Sequence, residues 1–542
     1  MSNMERWEDE ADVIVVGFGA AGACAALEAA QNGARVAVLD RFHGGGATAA
    51  SGAVVYAGGG TPYQQAAGYE DTPEEMVRYL KQEVGGWISD TTLRRFCEQS
   101  KANLAWLEEA GVPFEASLCP FKTSYPTDDY YLYFSGNEQV SSYRANAQPA
   151  PRGHRAKGRG ISGKILFRGL ENAVKAKGIV VRTQTEVLRL VLSQTGQILG
   201  VEGRSLPSGS WSAFLHRRLS KANAKATTYA PPLARKIARL LQEIMDRRAR
   251  PYRLRARKGV ILAAGGFVFN REMLAEHAPL YLRCLPLGTA GDDGAGIRLG
   301  ITAGGATARM ERVSAWSFFV PPEALMQGVL VDRQGNRICN EELYGATQAE
   351  QIAARGGDAY LIFDSKTHRA GLRQLWDQAA AFQLLYMLPA LLLRRTKAHS
   401  LAALAARLEM PVSQLQPTMT AYNVAAEQGA PDPLGKSPEH CLPQTCPPFY
   451  AIDCSLDWTK GVPCSAMTVG GLVVDENTGQ VLNVEGLALE GLYAAGRNAV
   501  GICSRSYVSG LSIADCVFSG RRAGRHAALL SGHGRDPDRS GS

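Results

Sequence analysis

The apolar positions of the first forty residues fall into two blocks with different periods. Ala11-Asp-Val-Ile-Val-Val16 is a nearly continuous apolar run of the kind buried on both faces, and it predicts a strand of a parallel sheet. A stretch of small residues, Ala23 to Gln31, predicts a helix, and Ala34-Arg-Val-Ala-Val-Leu39 predicts a second strand ending at Asp40. Gly178 to Val191 alternates and reads as a further strand, and Ala359-Tyr-Leu-Ile-Phe363 as another. Helical spacing appears in Trp211, Phe214, Leu215 and Leu219, and again in Leu233, Ile237, Leu240, Leu241 and Ile244. Ala379 to Leu393 is apolar for 15 residues, with Gln383 inside it and Arg394-Arg395 at its end. That is short of the ~18 residues of a membrane span, so it predicts a buried or surface-docking helix.

Charge changes this picture in one place. The chain of 542 residues carries +8 overall. Residues 211–258 contain fourteen Lys or Arg against Glu243 and Asp246, which is +12 and leaves −4 for the remainder. A protein that is basic in one segment only does not read as a nucleic-acid binder. The segment 205–258 reads as a basic amphipathic insertion, either a solvated hairpin docked on the body or a contact for an anionic membrane surface. Met1 to Glu10 has four acidic residues and no apolar core, so no signal peptide is expected. The eleven cysteines form no CxxC pair; no metal site is expected, and a reducing cytoplasm fits.

The chemistry begins at Gly17-Phe-Gly-Ala-Ala-Gly22, set between the first strand and the first helix. In that context GxGxxG is a specific sign of dinucleotide binding. Gly17 permits the tight turn, Gly19 the approach of a pyrophosphate, and Gly22 close packing of helix on sheet. The backbone around Ala20 and Ala21 presents N–H groups at a helix N-terminus, which favours anions. Asp40, eighteen residues past Gly22, is placed to accept from ribose hydroxyls, and Arg41 follows it.

Gly44-Gly-Gly-Ala-Thr-Ala-Ala-Ser-Gly52 is a second glycine-rich loop. It resembles the loop that meets the diphosphate and isoalloxazine in FAD-binding flavoproteins of the fumarate reductase and succinate dehydrogenase group. The resemblance implies an α/β fold: a Rossmann-like FAD-binding domain, residues 1–305 and 446–542, with an inserted α+β cap over 306–445. It implies FAD contacts from Gly46, Ala47, Thr48, Ser51 and Gly52, and from Val187 near adenine. Lys258 to Gly266, with Ala264 and Gly265, resembles the group's second strand-and-glycine motif. Gly291-Asp-Asp-Gly294, with Asp293, resembles its GDG turn. Gly491 to Gly496, followed by Arg497, resembles the strand that closes the FAD site. Ser512-Ile513 opens a helix implied to face flavin O2. Gly46 stands nearest the position of the group's covalent flavin His, so the FAD is expected to be non-covalent and His43 a loop residue.

Dicarboxylate enzymes of the group carry a His in a His-Thr-Met-Gly-Gly motif. Met467 stands there in Ala466-Met-Thr-Val-Gly-Gly471, which argues against fumarate or succinate. Arg505-Ser-Tyr-Val-Ser-Gly-Leu-Ser512 resembles the C-terminal signature of 3-ketosteroid dehydrogenases, in a form closer to the Δ4-(5α) than the Δ1 type. That implies α-proton abstraction beside a ketone and hydride transfer to flavin. Tyr507 and the Gly510 N–H would hold the ketone oxygen, Tyr344 would act as base with Ser509 relaying, and Tyr131 or Tyr133 are fallbacks. An external electron acceptor is implied, and a small apolar ketone, a steroid above all. Alternatives are Δ1 dehydrogenation, a smaller cyclic keto acid held by Arg152 or Arg155, and an ene-reductase running in reverse.

Overall fold

The computed structural model describes residues 7–229 and 231–530. In chain order the elements that build the nucleotide end are β1 (Asp9–Val16), α1 (Ala20–Gln31), β2 (Val36–Asp40), β3 (Val54–Tyr56), β4 (Leu132–Tyr133), β5 (Gly153–Arg155), β6 (Val180–Thr183), β7 (Thr185–Leu192), β8 (Ile198–Ser205) and β9 (Arg250–Leu262). β1 lies between β2 and β9, parallel to both. β6 extends the sheet beyond β2, and the parallel strand Ala488–Ala494 extends it beyond β9.

The apolar run in β1 is continuous because both faces are covered. Val13 and Val15 pack into the core shared with α1 and the C-terminal helix Leu511–Leu529. Ile14 and Val16 pack into a second core with Leu190, Val201 and Leu254. The alternating stretch 178–191 is two strands, not one. Gln184 sits between them at φ 58°, and there the chain leaves the parallel sheet. β6 stays beside β2, while β7 turns away to pair antiparallel with β8, which pairs with the first half of β9.

The basic insertion forms the helices Trp211–Tyr229 and Pro231–Arg248. It is docked on the body: Ala213 and Met245 pack with Leu206, Gln184 donates to the Ala213 carbonyl, and Arg204 pairs with Asp246 at 2.7 Å. Trp211, Phe214, Leu215, Leu233 and Leu240 remain exposed.

The cap is a four-stranded antiparallel sheet in the order Val329–Asp332, Ala359–Phe363, Phe449–Asp453, Arg395–Ala398. Its two faces bury separate apolar clusters. The division expected at 445 falls ahead of Phe449–Asp453, which hydrogen-bonds to cap strands on both sides, so the cap sheet takes in residues beyond that point. The 15-residue apolar run is the helix Ala381–Leu392, which buries Gln383, Met387, Ala390 and Leu391 and exposes Leu385 and Leu392. No described helix is long and apolar enough to cross a membrane.

Candidate active site

The turn from β1 into α1 brings backbone donors to one point. The amides of Gly19 and Gly22 have no protein acceptor among the described residues, whereas Ala20 N–H donates to Thr48 Oγ1 at 2.9 Å. A Cβ at Gly22 would lie 2.0 Å from the Gly17 carbonyl, so helix and strand can meet only through glycine. The second loop closes over the same point. Gly44, Gly45 and Gly46 take φ of 83°, 88° and 46°, a run that side chains other than glycine rarely adopt. Ser51 Oγ donates to the Thr48 carbonyl, and Gly52 gives way to the Tyr125 ring, which a Cβ there would approach to 2.5 Å.

Asp40 is at the end of β2 as expected, but its carboxylate already accepts from the amides of Phe18, Phe42 and Gly44 at 3.0, 2.8 and 3.1 Å. It ties the two glycine loops together. Arg41 and Asp293, both expected to meet the cofactor, pair with each other at 2.9 Å, and Arg41 also reaches Glu186 and the Ala290 carbonyl. Val187 lies in β7 opposite Gly203. The His43 ring contacts Ser220 Oγ at 2.7 Å and so anchors the basic insertion.

The far wall is Ala263–Gly266 with Gly496–Asn498. Gly265 has φ 85°, Ala264 N–H donates to Asn498 Oδ1, and Gly496 N–H donates to Ser519 Oγ. Arg497 pairs with Asp292 through Nη2, while its buried Nη1 has no partner, and buried Asn498 Nδ2 has none either. At the start of the C-terminal helix the amides of Ser512 and Ile513 have no protein acceptor among the described residues. Buried polar donors are rarely left unpaired. Two helix N-termini, two orphaned side-chain donors and a glycine wall fit an anionic dinucleotide and an electron-rich ring edge.

Four hydroxyl side chains meet where the cap closes on this wall. The chain after residue 504 turns back along β4. Ser509 N–H donates to the Ser135 carbonyl at 3.1 Å, Ser135 Oγ donates to the Ser509 carbonyl at 3.0 Å, and Tyr56 N–H donates to the Gly510 carbonyl at 3.1 Å. That bracing sets Tyr507, whose oxygen accepts from Gly510 N–H at 3.3 Å. Tyr133 donates to Ser509 Oγ at 2.8 Å. Tyr344 is delivered by the cap at the head of the helix Gly345–Ala353 and lies against Ser509, Tyr507 and Tyr133.

An aromatic row completes the wall. Trp316 meets the Tyr507 ring edge-on at 5.0 Å and stacks on Phe318 at 6.1 Å, and Phe318 meets Tyr344 at 6.3 Å. A narrow cleft next to Tyr344 is lined by Lys122, Ser124, Phe318 and Leu343 among others. Burial pushes the Tyr507 phenol up to about 12, so it stays a loaded proton donor at neutral pH. Burial, together with Tyr507 and Tyr133, drives Tyr344 well above the ordinary phenol value, and Ser509 and Trp316 oppose that shift.

Sequence reading therefore placed Tyr507, Ser509, Gly510 and Tyr344 in one site. Of the fallbacks, Tyr133 joins the site. Tyr131 does not: its hydroxyl points at the Gly158 carbonyl and Arg155 lies over its ring. Trp316 and Phe318 were missed. Their only signal is the aromatic density of Trp316-Ser-Phe-Phe319, which is equally a core pattern. Arg152 and Arg155 are not free for a carboxylate substrate. Arg152 is fully buried in a bidentate pair with Asp71, and Arg155 is held by Asp128 and the carbonyls of Thr127, Gly158 and Gly160. Met467 is buried in the strand Cys464–Thr468. Among the described residues Glu342, Glu439 and His440 converge in the cap, where His440 pairs with Glu342 at 2.6 Å.

Comparison with known proteins agrees with this geometry. The FAD binding domain family matches residues 12–510. The chain belongs to that family. It is an FAD-dependent oxidoreductase. It is 39% identical over 505 residues to the 3-oxo-5-alpha-steroid 4-dehydrogenase of Comamonas testosteroni, covering 91% of this chain and 93% of that one. Among solved structures it is similar to the 3-ketosteroid-Δ4-(5α)-dehydrogenase of Rhodococcus jostii RHA1 in complex with 4-androstene-3,17-dione. There the TM-score is 0.80 at 30% identity, over 97% of this chain and 99% of that one. The 3-ketosteroid Δ1-dehydrogenase of Sterolibacterium denitrificans shares the fold, with a TM-score of 0.67 at 19% identity over 96% and 99% of the two chains.

Proposed function

We propose that this flavoprotein introduces a C4=C5 double bond into a saturated 5α-3-ketosteroid. The reading is carried by the convergence of Tyr507, Ser509 and Tyr344, from two distant segments, beside the aromatic rings of Trp316 and Phe318. The names of the Comamonas and Rhodococcus relatives supply the substrate class. A flat aromatic wall suits a fused-ring apolar molecule better than a dicarboxylate.

The residues divide the work. Tyr507 donates to the ketone oxygen and stabilises the enolate that forms as the α-proton leaves. Tyr344, acting as its phenolate, takes that proton, and Ser509 lies beside it. FAD, when bound, supplies the hydride acceptor for the β-carbon. Gly17 to Gly22, Gly46 to Gly52, Ala264, Gly265, Arg497, Ser512 and Ile513 are the residues that would hold it, and an external acceptor would reoxidise it.

Anaerobic mixing with a saturated 5α-3-ketosteroid tests the reading. The flavin band should bleach as enone absorbance grows, and Tyr507→Phe should slow bleaching by about 10²–10³, the usual loss for one donor at a developing oxyanion. Bleaching by other saturated ketones only would remove the steroid. We also propose that the basic insertion touches anionic lipid within the cytoplasm, supported by its exposed Trp211, Phe214, Leu233 and Leu240 among Arg and Lys. A chain lacking residues 211–248 should lose co-sedimentation with anionic vesicles; an unchanged pellet would refute the contact.

A further inference from the structure

The helix Trp211–Tyr229 of the basic insertion is inverted. Its periodic apolar residues face outward: Trp211 is 74% exposed, and Phe214 and Leu215 are exposed with it. Its buried stripe is Ala213, His216, Ser220, Asn223 and Thr227, spaced alternately three and four residues apart, and all but Ala213 are polar. Burying a polar group costs free energy unless it finds a partner. A helix that turns such a face inward is fitted to a polar surface.

That surface is the turn after β2. His43 Nδ1 and Ser220 Oγ hydrogen-bond at 2.7 Å, and the Phe42 and His216 rings lie within 10° of parallel with centroids 6.2 Å apart. Gln184 joins the same pieces. Its amide donates to the Phe42 carbonyl at 2.9 Å; its side chain donates to the Ala213 carbonyl at 2.6 Å and reaches His216 Nδ1 at 3.3 Å. Within this turn the Asp40 carboxylate holds the amides of Phe18 and Gly44, one from each glycine loop. The second helix of the insertion is joined to the same turn by charge. Asp246 pairs with Arg204, Arg204 with Glu186, and Glu186 with Arg41, at 2.7, 2.7 and 3.5 Å. Both helices therefore reach residues 41–43, at the strand end where a dinucleotide's ribose lies in this kind of fold.

We propose that the insertion is a clamp for FAD: the polar stripe of its first helix, through Ser220 and His216, holds the turn 40–44 closed over the adenosine and diphosphate end of the cofactor and slows its release. Ser220 and His216 are positioning residues, acting through His43 and Phe42. The outward face with Trp211 and Phe214 is a different surface, so cofactor retention does not depend on contact with lipid.

The test follows release of FAD. Oxidised holoenzyme is diluted into lipid-free buffer without FAD, and the rise of flavin fluorescence gives the rate. Ser220→Ala removes the bond to His43 and should speed release by about fivefold, the scale of one hydrogen bond. Ser220→Thr keeps a hydroxyl and should recover most of the retention. Arg239→Ala, at an exposed position of the second helix, should release FAD at the wild-type rate. Coupling between two sites is reciprocal. FAD should therefore slow tryptic cleavage within the insertion of the wild type, and protect it less in Ser220→Ala. Unchanged release in Ser220→Ala, an equal acceleration in Arg239→Ala, or cleavage that FAD does not slow would overturn the proposal. So would a lower melting temperature of Ser220→Ala with release unchanged, since the contact would then serve packing alone. No steroid enters either measurement, so failure of the clamp and failure of the dehydrogenase reading are told apart.

Discussion

At the scale of single residues, burial decides the chemistry more than sequence position does. Tyr507 and Tyr131 are both tyrosines in turn-rich segments, but Tyr507 accepts from the Gly510 amide and abuts the Trp316 ring, whereas Tyr131 points at the Gly158 carbonyl. The same rule makes Glu83 informative. It is 3% exposed and accepts from Tyr79 and from Asn137, each at 2.7 Å, while burial, with Glu138 and Glu350 nearby, pushes its carboxyl up to about 7. A carboxyl whose folded pKa lies above its unfolded value binds more protons when folded, so stability falls as pH rises from about 4.5 toward 7. Glu83→Gln keeps an acceptor for both donors without the charge. Its melting temperature should exceed that of the wild type at pH 8 and match it near pH 5; a variant less stable at pH 8 would contradict this account.

At the scale of elements, close approach of two helices forms the floor of the nucleotide site. Gly520 and Gly524 lie one turn apart on the C-terminal helix and press on α1. A Cβ on Gly524 would stand 2.2 Å from the Ala25 carbonyl, and one on Gly520 2.5 Å from the Ala21 carbonyl. Glycine in a helix interior ordinarily costs ~0.5–1 kcal/mol relative to alanine, so Gly→Ala should stabilise an exposed helix. Here the contact is with backbone, which cannot move aside, and overpacking typically costs ~1–3 kcal/mol. Gly524→Ala should therefore lower the melting temperature and weaken FAD retention on gel filtration. A more stable variant with full FAD would show that the helices have room.

At the scale of the whole molecule, the site exists only when cap and nucleotide domain meet. Asn137 is the contact that brings Tyr344 home. Its Oδ1 accepts from the Tyr344 amide at 2.6 Å, its Nδ2 donates to Glu83 and to Thr347 Oγ1, and its own amide donates to the Tyr79 hydroxyl. Asn137→Ala should lower kcat and raise KM together while FAD content stays normal, measured by steady-state turnover against the flavin spectrum. Loss of FAD instead would mean that Asn137 supports the nucleotide domain rather than cap closure.

The local code was enough for the nucleotide end. The apolar run of β1, the glycines of its turn and the small residues of α1 act within forty residues, and each has a backbone reason that no distant contact alters. The C-terminal signature likewise pointed to Tyr507 and Ser509. What the sequence could not express was the distribution of contacts in space. The break at Gln184 that sends β7 into a second layer, the mutual pairing of Arg41 with Asp293, the burial of Arg152 on Asp71, and the choice of Tyr133 over Tyr131 all depend on residues far apart in the chain. Trp316 is the clearest case. Its apolar ring belongs to a strand pattern, and only packing against Phe318 and Tyr507 leaves its N–H buried and unpaired. Periodicity determines which face of an element is buried; the tertiary structure decides what that face is buried against, and that in turn sets the charge, the proton and the site.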